Sequence, residues 1–245
     1  MSETLKLHGR VALVTGAAKR LGRVVALRLA QQGADVAIHY GTSANEARQL
    51  ASELQSKGRR SVALQAELTS VPAIENLVSE TLSYFGHLDI LINSAASFLE
   101  TTFGQTSEQT WDTSLGTNLK APFFCAQSAA PHLAKSGHGA IINFADLGGI
   151  LGWPDFLPHS LGKAGLIMLT RILAKELAPN IRVNAIAPGT ITMPGDPPAW
   201  EANFIRRAPL GRTGRPEEVA DAVMFLLTAE FMTGQVLILD GGSAL

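Results

Sequence analysis

The chain has a single cysteine, two tyrosines and no long apolar run. A lone Cys125 excludes an internal disulfide, and no second cysteine stands at metal-ligand spacing from it. In "FFCAQSAA" it reads as a buried structural residue, and no metal site is expected. No segment approaches the roughly 20 uninterrupted apolar residues of a membrane span, and "MSETLKLHGR" carries no apolar core of leader length. A cytoplasmic protein with no membrane partner is therefore expected. The formal net charge of −1 leaves no basic excess to neutralise a run of phosphates, which argues against nucleic acid as a partner. Low-complexity tracts, charge blocks and repeats are also missing, so the expectation is one domain over residues 1–245.

What is present is a regular alternation. "RVALVTG", "DVAIHY", "SVALQAEL", "LDILINSA", "GAIINFA", "IRVNAIAPG" and "GQVLILDGG" are short runs rich in Val, Ile and Leu, and longer amphipathic stretches separate them, one spanning Glu108 to Leu133. Strands without polar alternation are buried on both faces, as in a parallel sheet covered by helices. The expected fold is α/β, a doubly wound parallel sheet (Rossmann fold) of about seven strands, with ligands beyond the carboxyl ends of the strands.

After the first strand, "TGAAKRLG" (Thr15 to Gly22) opens a helix, where backbone N–H groups and the helix dipole can hold a pyrophosphate. Gly16 and Gly22 take the outer places of a glycine-rich loop, with Leu21 beside them, and Arg20 stands where a middle glycine is common. The second strand ends in His39, Tyr40, Gly41, Thr42 and Ser43, with no carboxylate to bind ribose hydroxyls and repel a 2′-phosphate. Arg20, His39 and the Thr42 and Ser43 hydroxyls can bind such a phosphate, so the expected cofactor is NADP(H). The alternative is that Arg20 merely caps the sheet edge.

"TGAAKRLG", "LINSAAS", "NLKAPFF", Asp146 with His159 and Lys163, "RVNAIAPG" and "TGQVLILDGG" together resemble a short-chain dehydrogenase/reductase over essentially the whole chain. "TGAAKRLG", "AIHYGTSANEA", "AASF" and the aspartate at 146 most resemble the pteridine reductases. The resemblance implies that Lys163 hydrogen-bonds the nicotinamide ribose, and that Asn118 supports a water leading to that lysine. Four residues before Lys163 the family has a tyrosine and this chain has His159; thirteen before that, the usual serine is Asp146, as in pteridine reductases. Asn93, Ala95, Glu67, Leu68, Pro188, Gly189 and Ile191 fall where the family meets its cofactor, Leu68 over the adenine and the Ile191 N–H at the carboxamide. Four positions depart from the pattern: Ser94 replaces a second asparagine, Glu67 an aspartate, Ala96 a serine, and Thr42 an arginine.

Tyr40 ends the second strand and Tyr84 ends a helix on the nucleotide half, so neither replaces the missing tyrosine. The proton must come from His159, Asp146 or water between them, and the pair is expected within hydrogen-bond or one-water reach. Histidine titrates near operating pH, at about 6.5 when unperturbed. A C=N bond can be protonated by a carboxylic acid before or during hydride transfer, which suits Asp146 to a pterin-like substrate. By resemblance Phe98 helps sandwich a pterin, although it is equally readable as a core residue. Trp153, Phe156 and Trp200 are candidate pocket walls, and three prolines and a glycine between Pro194 and Pro198 predict a substrate loop near 190–212. Three functions compete: an NADPH-dependent reductase of a pterin-like or cyclic C=N compound, a catalytically weak NADP-binding sensor or scaffold, and a carbonyl reductase using His159 as acid. Apolar helix faces in "TSLGTNLKAPFFCAQSAAPHL" and "LGKAGLIMLTRILAKEL", with the family resemblance, predict a homotetramer.

Overall fold

Segments of four to eight residues of Val, Ile, Leu and Ala bury both faces only when helices cover a sheet from both sides. The computed structural model, which describes residues 6–196, 204–206 and 208–245, has that arrangement. The strands are β1 (Val11–Val14), β2 (Asp35–Tyr40), β3 (Ser61–Gln65), β4 (Ile90–Asn93), β5 (Gly139–Phe144), β6 (Ile181–Pro188) and β7 (Val236–Leu239). They form one sheet in the order β3-β2-β1-β4-β5-β6-β7, every pair parallel.

Helices α1 (Arg20–Gln31), α2 (Ala44–Ser56) and α8 (Pro216–Thr228) cover one face through Val25, Leu29, Leu50, Leu54, Val219 and Val223. On the other, α3 (Val71–Phe85), α5 (Ala121–Lys135) and α7 (Leu157–Glu176) contribute Ile74, Leu77, Ala129, Leu133 and Ala174. Cys125 lies in this second core, where burial pushes its thiol up to about 12 and leaves it inert. The chain winds outward in both directions from β1 and β4, so the crevice for a ligand opens above their carboxyl ends.

The single helix expected from Glu108 to Leu133 is interrupted. It consists of α4 (Glu108–Leu115), a five-residue π turn (Gly116–Lys120) and α5. The apolar spacing on either side keeps the helical period, so the extra residue leaves no trace in the sequence pattern. π turns of this kind often mark functional sites, and Asn118 sits at the centre of this one. A short α6 (Gly148–Leu151) lies between β5 and α7.

Candidate active site

At the switch point the loops after β1 and β4 press together. Gly16 has φ +64, and a Cβ on it would lie 2.8 Å from Ala95 Cα, so only glycine admits this approach. The Thr15 hydroxyl fastens the two loops, accepting the Ser94 and Ala95 N–H groups at 3.0 and 3.1 Å. A Cβ on Gly22 would collide with the Gly16 carbonyl, and Leu21 packs onto the core beneath. Arg20 adopts φ +49, the left-handed conformation that a glycine takes without strain. Its side chain is 57 % exposed, and the guanidinium makes a bidentate pair with Asp196, at 3.0 and 3.3 Å. That hydrogen bond and the Met193 N–H hold the Asp196 carboxyl below the usual carboxylate range.

These residues fit a dinucleotide with a 2′-phosphate. The first turn of α1 has no acidic residue and its N-cap, Lys19, makes no side-chain cap bond, so the positive helix end is open. Thr42 is exposed, and Ser43 makes no cap bond at the start of α2, which leaves both hydroxyls available. No carboxylate stands at the end of β2.

Several expected contacts are corrected. His39 is not a phosphate ligand: it is 2 % exposed, its Nδ1 accepts the Gly16 N–H at 3.0 Å and its Nε2 donates to the Ala66 carbonyl at 3.1 Å. Burial holds its pKa below the ordinary value, against opposing effects from the Ala66 bond and the Glu67 charge, so the ring is a neutral brace. Tyr40 likewise turns its side chain into the core. Asn93 donates to Asn143 Oδ1 at 2.9 Å inside the sheet, and Asn143 donates to the Thr170 hydroxyl at 2.9 Å, so the Asn93 side chain faces no cofactor. Glu67 folds back onto the Thr69 N–H and hydroxyl, at 3.0 and 2.9 Å, and Leu68 is buried beside it. Pro188 ends β6; Gly189 presses on Asp240, whose Cα would be 2.8 Å from an added Cβ, and Ile191 bridges to Gly214.

The chemical end gathers on α7. Pro158 in its first turn starts the helix, and His159 and Lys163, one turn apart, both point into the buried interior. Lys163 donates to the Phe144 carbonyl at 2.5 Å; burial lowers its pKa, with Asp146 acting in the opposite sense. Asp146 follows β5 and meets His159, Nε2 to Oδ2, at 2.6 Å. Burial raises the Asp146 carboxyl, but the His159 hydrogen bond, the Lys163 and His159 charges and the Gly149 N–H together bring it below its ordinary value. Of the pair, the Asp146 side chain is 19 % exposed and that of His159 only 2 %, so Asp146 is the outward member.

The other ring nitrogen is also occupied. His159 Nδ1 lies 3.0 Å from the Ser97 carbonyl oxygen and 3.3 Å from Asn118 Nδ2. Asn118 brackets the Ser97 peptide: its Oδ1 accepts the Ser97 N–H at 3.1 Å, and its Nδ2 donates to the Ser97 carbonyl at 2.8 Å and faces the Ser114 hydroxyl at 3.3 Å. Its side chain is thus bound to the loop after β4, without a contact to Lys163.

Aromatic rings surround His159. Phe98 meets it edge-on at 4.8 Å between centroids and stacks on Phe156 at 4.2 Å, while Trp153 lies nearly parallel to the imidazole at 6.2 Å. At 52 % exposure Phe98 is a lip residue and not part of the core. A backbone bridge from Thr101 to Phe156 and a bond from the Trp153 N–H to the Ser160 hydroxyl hold these loops in place. Trp200 lies outside the described residues. Among the described residues no group of His, Cys, Asp and Glu is arranged to hold a metal, and no helix is long and apolar enough to cross a membrane.

Residues 16–244 match the family model described as enoyl-(acyl carrier protein) reductase. The 3-oxoacyl-(acyl-carrier-protein) reductase FabG of Staphylococcus aureus is 37 % identical, with 94 % of this chain and 96 % of that protein aligned. The chain belongs to the short-chain dehydrogenase/reductase family. Solved members superpose closely. A dehydrogenase/reductase from Sinorhizobium meliloti, 35 % identical, gives a TM-score of 0.92 over 99 % of this chain and 98 % of that one. A short-chain dehydrogenase from Burkholderia cenocepacia in complex with NADP, 32 % identical, gives 0.92 over 98 % and 100 %. Within this family frame, the sequence reading left Thr15, Ser97, Ser114 and Asp196 without a role. Ser97 works through its main chain, which no side-chain pattern reveals, and Asp196 meets Arg20 only through the fold.

Proposed function

We propose that this protein reduces a small planar substrate with a cyclic C=N bond, pterin-like in shape, and that Asp146 and His159 deliver the proton. The protein is an NADP(H)-dependent oxidoreductase of the short-chain type. The observation that carries the proposal is the 2.6 Å contact between His159 Nε2 and Asp146 Oδ2, with Asp146 the solvent-reaching member. When bound, NADPH supplies the hydride to the substrate carbon. Lys163, on the buried side, keeps positive charge near Asp146. His159 passes its Nε2 proton to Asp146, and Asp146 passes a proton to the substrate nitrogen, so the C=N bond becomes CH–NH and the pair is reloaded from solvent through the same carboxyl. Phe98, Phe156 and Trp153 offer flat faces to a flat substrate and shield the His159 ring, leaving Asp146 as the member open to solvent.

A carbonyl of a small acyl compound is the second reading, favoured by relatives named as 3-oxoacyl reductases. NADPH oxidation against dihydrobiopterin, dihydrofolate, cyclic imines and 3-oxoacyl thioesters separates the two. Turnover confined to the thioesters overturns the C=N reading. We further propose a homotetramer. Phe123, Met168 and Ile172 lie exposed along one groove between α5 and α7, and Ile150 and Ile238 along a second.

A further inference from the structure

An aspartate on one nitrogen of a histidine ordinarily makes a base, because the second nitrogen is left bare to take a proton. In this site the second nitrogen is not bare. Nδ1 faces the Ser97 carbonyl oxygen at 3.0 Å, and that oxygen only accepts hydrogen bonds. Nε2 faces an Asp146 carboxyl that is held on the ionised side, so the shortest contact of each ring nitrogen is with an acceptor. A ring between two acceptors is satisfied only when it donates twice, as an imidazolium. The Asn118 amide cannot be reversed to relieve this, because the Ser97 N–H, a donor, fixes Oδ1 opposite itself and so places Nδ2 at the carbonyl. One of its hydrogens goes to the Ser97 carbonyl at 2.8 Å and the other lies 3.3 Å from both the Ser114 hydroxyl and His159 Nδ1, so the shorter contact of Nδ1 is the 3.0 Å one with the carbonyl oxygen.

We propose that Asn118 is a positioning residue that, by holding the Ser97 carbonyl on Nδ1, makes the Asp146–His159 couple an acid that stores a proton where an ordinary couple is a base. The inference rests on the proton-delivery reading above. The ionisable groups facing the ring are Asp146, from the loop after β5, and Lys163 of the same helix, which acts through Asp146. The loop carrying Ser97 and the π turn carrying Asn118 present carbonyl, amide and hydroxyl groups, and Phe98 and Trp153 are neutral. A neutral carbonyl bonded to a charged N–H favours the charged state, so the clamp extends the pH range over which the couple keeps its proton.

Two variants move that range in opposite directions. Asn118→Leu frees the Ser97 peptide, and the alkaline limb of kcat/KM shifts to lower pH by about one unit or more; Asn118→Asp sets a carboxylate by Nδ1, and the limb shifts to higher pH by a similar amount. A merely structural role for Asn118 lowers the rate in both without moving the limb, and that result overturns the proposal. The full-length protein labelled with ¹⁵N-histidine reads the ring without turnover, His159 being assigned by the signal lost in His159→Gln. At a pH below the limb, two protonated ring nitrogens support the proposal, and a bare Nδ1 in the native protein overturns it. Because this spectrum needs no substrate, an active Asp146→Asn enzyme, which sinks the proton-delivery reading, remains distinguishable from a failure of the clamp.

Discussion

His39 joins the carboxyl end of β2 to the loop after β1, its Nδ1 accepting the Gly16 N–H at 3.0 Å from a buried, uncharged ring. Replacing it with leucine leaves that N–H without its partner and is expected to cost about 1–3 kcal/mol of stability. Because the ring braces the loop and touches no phosphate, NADPH and NADH affinities fall together. Its folded pKa is lowered, so the unfolded chain takes the proton first, and stability from this residue is full above about pH 6.5 and lost as pH falls below it. Thermal melts across that window should show a slope that His39→Leu removes. A loss confined to NADPH returns His39 to the phosphate.

Arg20→Ala should weaken NADPH about tenfold or more and leave NADH nearly unchanged, since one charged hydrogen bond is worth about 1.5–3 kcal/mol. Fluorescence titration of both cofactors checks it. Equal losses mean that Arg20 works only through its pair with Asp196.

Asp146→Asn should lower kcat by about 10²–10⁴ without loosening NADPH. The native rate should fall as pH rises through the apparent pKa of the Asp146–His159 couple, a value belonging to both residues together. His159→Tyr supplies the contrast: loss on C=N substrates shows that histidine performs the chemistry, whereas a large gain on ketones with no native activity marks it as a disabled form.

Gly149 packs on the lysine itself. A Cβ there would lie 2.7 Å from the Lys163 carbonyl carbon and 2.9 Å from its Cβ. Gly149→Ala should therefore push α6 and α7 apart at Lys163, costing about 1–3 kcal/mol as overpacking does, and lower kcat as well. An unchanged melting temperature contradicts this.

Light scattering at micromolar concentration should give four times the 26.0 kDa chain mass. A monomer mass refutes the tetramer.

Seven strands and their parallel pairing were legible because burial on both faces leaves an unmistakable Val, Ile and Leu pattern in "RVALVTG" or "IRVNAIAPG". The meeting of Asp146, His159 and Lys163 was legible because a strand end and one helical turn fix their spacing. His39 was misread: a polar residue at a strand end looks like a ligand whether it turns outward or inward, and its burial is decided by Gly16 and Ala66, distant in sequence. The Asn118–Ser97 bracket was invisible for a related reason, since half of it is a peptide group that any residue could supply.

The π turn at Gly116–Lys120 makes chain length, more than residue choice, the quantity that matters in this helix. Each residue advances an α-helix by about 100°, so deleting one residue from the turn restores regular bonding and swings Asn118 or the whole of α5 away by that angle. The shortened helix is the better helix and the poorer clamp. Selection acting on this segment is therefore expected to accept substitutions at its outer face while rejecting single-residue insertions and deletions, a signature to be sought as an ungapped block when sequences of this kind are aligned.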